Sequence, residues 1–415
     1  MKIVKIALLA LFFCLSSVSG YSMPIAHAST NSATILLDGY PLTFPTPPVI
    51  INGYTMVPFR AISEAMGVSV QWVPETETIL AHKTTANGEI NVQLQLGNPS
   101  ITVNGQISSL PVAPVEKNGH TLIPLSFFSK QFGASVSWNA QTRTVSITSP
   151  REHLYTTAFY AISSFGQKQL IHSFDSVAFG WSRIDGNGNV TLAGKDFYWP
   201  QAAGDITPES IIDDSKASGT SPYLMVFAGD AKGELTKLLD NQQLRDKAVD
   251  QILSIARDKH FEGIVLDFEG LGLQGDPSNS KAKYNQFVSQ LAKKAHEQNT
   301  KLTLVLHPLN GAYQGYDYAI LKTLADDLII MAYGYESEKS PEPLNKVNEA
   351  IQLALKQVPK DQLILGISMG SENEQSINAK IGLAKRYGLK GIALWRLGLI
   401  NQATMAQMNQ TIELK

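Results

Sequence analysis

The sequence predicts an α/β fold, a (β/α)8 TIM barrel preceded by a smaller α+β domain made of two repeats, and three observations predict it. The second part of the chain alternates eight short apolar runs with helical patterns. The first part repeats itself at one fixed offset. The change from one pattern to the other falls near residue 150. A length of 415 residues exceeds the needs of one ordinary domain. With 44% hydrophobic and 17% charged residues, core material is ample. The balance of 34 basic against 36 acidic residues lacks the basic footprint of a nucleic-acid binder.

The first 28 residues carry the pattern of an export signal. Lys2 and Lys5 form a positive start, 6–14 an apolar core, and Ala26-His27-Ala28 an A-x-A cleavage site. The apolar run is shorter than the ~20 residues of a membrane span. The expectation is secretion, to the cell wall or surface of a bacterium, with no transmembrane span after cleavage. Cys14 is the single cysteine, so the mature chain is held by its cores without disulfides.

Residues 34–148 contain the duplication. Asn52-Gly53-Tyr54-Thr55-Met56-Val57-Pro58 returns as Asn118-Gly119-His120-Thr121-Leu122-Ile123-Pro124. Gly67 and Trp72 return as Gly133 and Trp138, and Asp38-Gly39 as Asn104-Gly105, all 66 residues on. The Asn-Gly and Asp-Gly steps predict hairpin turns. A Val/Ile-Pro segment then leads into a short helix (61–66), closed by Gly67 and followed by an alternating strand at 68–72. Trp72 and Trp138 are expected to be core anchors, since strand aromatics usually pack. His82 and His120 are too few for a metal site.

From about residue 152 the candidate strands are 155–162, 176–183, 222–228, 263–269, 301–307, 327–333, 362–368 and 390–397. Helical patterns at 235–259, 280–298, 344–357 and 377–387 lie between them, and 403–412 follows the last. Eight units in this length match one barrel. A doubly wound sheet is disfavoured by the unit count and by the lack of a Gly-rich phosphate loop after the first strand.

The fourth strand carries the chemistry. In Glu262-Gly263-Ile264-Val265-Leu266-Asp267-Phe268-Glu269-Gly270, alternation sends Val265, Asp267 and Glu269 to one face and Ile264, Leu266 and Phe268 to the other. The apolar face suits the helix ring. The carboxylates then face the lumen at the C-terminal end, where barrel chemistry sits. Two acids on an otherwise apolar strand are costly unless used or paired. The other reading is a strand-end turn with solvated acids. His307 ends the fifth strand as a groove-lining or structural histidine, and Tyr160 and Trp181 are candidate sugar-contacting aromatics or core residues. Glu336, Glu338 and Glu372 read as solvated loop acids. No H-E-x-x-H, cysteine pair or serine elbow is present, so no metal or other cofactor is called for.

Residues 34–148 resemble the N-terminal domain of copper amine oxidases, a stalk-like module. Residues 152–412 resemble family-18 glycoside hydrolases, whose fourth strand ends in D-G-x-D-x-D-x-E. Glu269 falls on the terminal glutamate, Asp267 on the aspartate before it, and Gly263 on the glycine. Val265 replaces the middle aspartate and Glu262 the first. Met331-Ala332-Tyr333 resembles the family's M-x-Y-D, with Gly334 for its aspartate. Gly391-Ile392-Ala393-Leu394-Trp395 resembles the last strand.

The resemblance implies a substrate-assisted retaining mechanism, in which the 2-acetamido group of the sugar is the nucleophile. Glu269 would be general acid and base, Asp267 would orient the acetamido group, Tyr333 would bind its carbonyl, and Trp395 would stack beneath the sugar. The implied partner is an N-acetylglucosamine-containing polysaccharide, peptidoglycan or spore cortex first and chitin second, with the N-terminal domain holding the cell wall. The alternative is a chitinase-like lectin that binds such polymers without cutting them.

Overall fold

The computed structural model describes residues 34–415 other than 86, 87, 140, 337 and 338. The export signal, Cys14 and Glu338 lie outside the described residues. The described residues form one compact unit.

Eight parallel strands close into a barrel: β1 (Tyr155–Tyr160), β2 (Ser176–Ile184), β3 (Ser221–Ala228), β4 (Gly263–Phe268), β5 (Lys301–Leu306), β6 (Asp327–Met331), β7 (Leu363–Ser368) and β8 (Gly391–Trp395). Each pairs with the next, and β8 pairs with β1, Tyr155 lying opposite Gly391. The expected strands were right in number and order, and their ends were overextended by one or two residues at β1, β4, β5, β6 and β8. The pattern at 235–259 splits into two helices, Glu234–Asp240 and Gln242–Asp258. Asn241 interrupts them, its side chain accepting from the Leu244 amide as a new N-cap. After β2 the chain turns back in a hairpin, Val190 pairing with Ile184 and Thr191 with Arg183.

Strand alternation sorts two cores. Outside the ring, Ile264, Leu266 and Phe268 of β4 pack with the helices, Phe268 stacking on Phe287 at 5.5 Å. Inside it, Val265 joins Ala178, Met225, Val305, Ile329, Ile364 and Ala393. The lumen is thus a packed apolar plug below the mouth. At its base, Lys390 bonds to Asp327 and Tyr155 hydrogen-bonds to Ser176 and Tyr223.

Residues 34–148 have cores of their own, the larger built on Phe59, Ile62, Phe127, Phe128 and Phe132. Strands Tyr54–Pro58 and His120–Pro124 pair antiparallel with Val57 opposite Ile123, so the repeats meet about a local two-fold axis. The four expected Asn-Gly and Asp-Gly turns form, each with positive φ at both residues (Asn52 51°, Gly53 81°). Trp138 corrects the expectation of a core anchor: it is 55% exposed, because its strand, Ser135–Asn139, is a sheet edge. Trp72 is half-buried. This region touches the barrel at helix Ile377–Tyr387, where the Arg386 guanidinium lies 5.2 Å over the Tyr40 ring and Lys385 donates to the Pro150 carbonyl at 2.8 Å.

Candidate active site

The mouth of the barrel is organised by the end of β4. The Glu269 amide donates to the Ala228 carbonyl at 2.8 Å, tying β4 to β3. The Tyr316 hydroxyl donates to the Phe268 carbonyl at 2.7 Å. These bonds hold the backbone on both sides of the two carboxylates. Asp267 is buried and Glu269 is half-buried above it, on the face they share with Val265.

The two carboxyls are hydrogen-bonded to each other. Burial raises the Asp267 pKa well above the usual carboxylate range, and the neighbouring Glu269 charge and hydrogen bond raise it further. Burial also raises Glu269, partly offset by the hydrogen bond from Asp267. Two acids this close in an apolar surround resist ionising together, which holds the pair above the usual carboxylate range. Asp267 Oδ1 has no hydrogen-bond partner among the described residues. Val265 beneath it, fully buried in the apolar plug, offers none. Glu262 lies at the opposite end of the strand, where it pairs with Lys216 at 3.3 Å.

Tyr333 and Trp395 both pack on the lumen side. Trp395 ends β8, which is diametrically opposite β4 in the ring. Its ring meets Phe159 edge-on at 5.4 Å and faces Phe197 at 6.3 Å. Tyr333 lies where Gly366 of β7 leaves room: a Cβ there would sit 3.3 Å from the tyrosine ring and 2.7 Å from the Ile330 carbonyl oxygen. His307 has the lumen parity of β5, stacked on Tyr313 at 3.9 Å, and its buried Nε2 has no partner among the described residues. Burial pushes its pKa down to about 4, so the ring is neutral.

Tyr160 and Trp181 are not brought to the lumen. Their parity on β1 and β2 is outward, where they pack with Phe179 as fully buried rings (Trp181 0%). They edge a cavity of about 570 Å³ shared with Tyr198 and Trp199, outside the barrel wall. Glu336 is exposed, as expected of a loop acid. Glu372 is not solvated: it is 7% exposed and pairs with buried Lys380 at 2.8 Å.

Three groups escaped the sequence reading. Phe227, with lumen parity on β3, stacks on Phe197 at 4.1 Å, extending the aromatic wall; the alternation of Tyr223, Met225 and Phe227 was its available signal. Phe197 sits in an irregular segment that gives none. The third is a buried relay behind Tyr333. Glu342 accepts from the Gly334 and Tyr335 amides at 2.9 and 3.2 Å, and Glu372 accepts from the Glu342 amide at 2.9 Å. Gly334 has φ 74°, a left-handed turn that glycine adopts without strain. Glu342 thus holds the turn that follows Tyr333 through two backbone amides. Among the described residues no group of three or more His, Cys, Asp or Glu is placed to hold a metal ion.

A closed barrel with paired acids at the end of β4 is the architecture of a glycosyl hydrolase, and the family can be stated. Residues 136–372, more than half of the chain, match Glycosyl hydrolases family 18, and the chain belongs to that family. The match ends before β8, so Trp395 lies outside it. Residues 36–147 match the Copper amine oxidase N-terminal domain.

Among individual proteins, the chain is 21% identical over 230 residues to the Cortical fragment-lytic enzyme of Bacillus subtilis (strain 168), covering 39% of this chain and 52% of that one. It therefore spans about half the length of that curated relative. The Bacillus cereus spore cortex-lytic enzyme SleL superposes with a TM-score of 0.55 at 15% identity, over 71% of this chain and 83% of that one. A chitinase from Chromobacterium violaceum ATCC 12472 superposes at 0.52 and 20% identity, over 62% and 98%. At these identities the structural likeness establishes the fold. Among the described residues no helix is long and apolar enough to cross a membrane.

Proposed function

We propose that the protein is a secreted glycosidase that cuts N-acetylhexosamine-containing polymers, peptidoglycan or spore cortex before chitin, by substrate-assisted retaining catalysis. One observation carries the reading: the Asp267 and Glu269 carboxyls lie together at the mouth of the barrel, above an apolar layer of its lumen, and burial raises the pKa of both. Glu269, the more exposed of the two, donates its carboxyl proton to the leaving glycosidic oxygen and takes one back from water in the second half-reaction. Asp267 orients the acetamido N–H, so that the acetamido oxygen attacks the anomeric carbon and forms an oxazolinium ion. Tyr333 binds the acetamido carbonyl, Trp395 floors the sugar, and His307 lines the groove as a neutral ring. The relatives named for cortex lysis support the order of substrates. The export pattern of the first 28 residues supports action outside the cell, and residues 34–148 act as a separate domain that holds the wall.

The test is incubation with peptidoglycan, spore cortex and chitin, identifying the new reducing-end sugar by mass spectrometry. Release of N-acetylhexosamine ends by the native chain and none by Glu269→Gln is expected. Equal release by both would overturn the assignment. Binding of all three polymers with no cleavage would favour the lectin reading, which the absence of a polar partner beneath Asp267 motivates.

A further inference from the structure

Two grooves in the N-terminal region are related by the same 66-residue offset that relates the repeats. One, of about 450 Å³, sets Gly119-His120-Thr121 of the second repeat against Val70, Trp72 and Ile79 of the first. The other, of about 330 Å³, sets Gly53-Tyr54-Thr55 of the first against Val136, Trp138 and Val145 of the second. The two-fold axis through the Val57–Ile123 pair is the cause. Each groove takes its turn from one repeat and its tryptophan strand from the other. The register agrees as well, with Trp72 opposite Ile79 and Trp138 opposite Val145.

Packing does not account for the second groove. Trp138 is 55%, Tyr54 41% and Val136 37% exposed, three large hydrophobic side chains held open in one place. No charged side chain lines it, and its polar side chains are the hydroxyls of Tyr54, Thr55, Ser126 and Ser137. An indole beside hydroxyls, without charge, suits a pyranose, which offers C–H bonds on one face and hydroxyl or acetamido groups at its edge. A phosphate-bearing partner would call for ionic contacts that this lining lacks. In the first groove Arg60 faces Glu64 at 3.6 Å and donates to the Val70 carbonyl, and the lining also carries Glu116.

We propose that these grooves are paired binding sites for a neutral N-acetylhexosamine glycan strand, holding the polymer while the barrel works on it. The proposal rests on the reading of residues 34–148 as the wall-holding part and names its contact residues. Two tethered sites bind a polymer more tightly than either alone.

The test uses the full-length chain, sedimented with purified peptidoglycan and with insoluble chitin. Trp138→Ala is expected to weaken binding about tenfold, and Trp72→Ala with Trp138→Ala about a hundredfold. Cleavage of a soluble chitooligosaccharide stays at the native rate. Tyr54→Ala, on the opposite repeat, is expected to repeat the Trp138→Ala loss, and it decides the matter should a tryptophan variant misfold. Native-like sedimentation of the double variant, or of Tyr54→Ala with a folded Trp138→Ala, overturns the grooves whatever the barrel does. Loss of soluble-substrate cleavage in Glu269→Gln reads the barrel separately.

Discussion

The two ends of one barrel treat buried charge in opposite ways. At the base, Asp327 and Lys390 neutralise each other, and Tyr155 hydrogen-bonds to Ser176 and Tyr223. Burial raises the Asp327 pKa, but the lysine hydrogen bond and charge pull it back. At the mouth, Asp267 and Glu269 are two like acids over an apolar plug, with no partner for Asp267 Oδ1 among the described residues. The base follows the rule that buried charges are paired with their opposites. The mouth breaks it, and a raised carboxyl pKa is what proton donation to a leaving group requires. The contrast separates residues that hold the barrel from residues that use it.

The sharpest way to break this contrast is to remove the acid at each end. Glu269→Gln is expected to lower hydrolysis by about 10²–10⁴-fold, the usual worth of a positioned general acid, with a native-like denaturation midpoint. Steady-state cleavage and urea unfolding of the same preparation check both halves. Lys390→Met should do the reverse. It leaves Asp327 buried without its cation and is expected to cost about 2 kcal/mol, less than the ~3–5 of a fully buried pair because the lysine is part exposed. Activity per folded molecule should not change. If Lys390→Met lost activity without losing stability, the division of labour between the ends would be wrong.

The pH dependence sharpens the same contrast. The carboxyl pair has its folded pKa raised, so the folded state keeps a proton that the unfolded chain releases in the ordinary carboxylate range. Its contribution is therefore fullest at acid pH and is lost as pH rises through the folded value. Asp267→Asn removes the repulsion between the two acids. The alkaline limb of the pH–rate profile should move to lower pH and the maximal rate should drop. The variant should also be more stable than the native chain at neutral pH. An alkaline limb that stayed in place would show that the limb belongs to another group.

The barrel was legible because alternation and unit count are local signals. Ile264, Leu266 and Phe268 declared the outer face of β4, and Val265, Asp267 and Glu269 the inner one, as the two cores now show. The same parity, applied to Tyr160 and Trp181, would have sent them outward; residue type outweighed period in the sequence reading. Trp138 was misread for another reason, since nothing local says that its strand would be a sheet edge. The buried state of Glu372 was illegible because its partner, Lys380, belongs to the helix that packs behind the loop, and loop acids are ordinarily solvated. A loop acid folded back onto the helix that follows it has no fixed-spacing signature in a single sequence.

That buried relay gives the smallest of the expected effects. Glu342 holds the Gly334 and Tyr335 amides, and Glu372 in turn holds the Glu342 amide while bound to Lys380. The relay touches neither carboxylate of β4, so it can act on catalysis only by fixing the turn that follows Tyr333. Glu342→Gln keeps one acceptor oxygen and should lower kcat about two- to threefold, whereas Glu342→Ala frees both amides and should lower it about tenfold, near the ~1 kcal/mol that each hydrogen bond contributes. Binding of an uncleaved analogue whose acetamido group is replaced by hydroxyl should be equally strong in both variants, because the proposed contact being lost is the one between Tyr333 and the acetamido carbonyl. Equal kcat in the Gln and Ala variants, measured on a soluble oligosaccharide, would reduce Glu342 to a loop-stabilising residue and leave Tyr333 positioned by Gly366 and the lumen core alone.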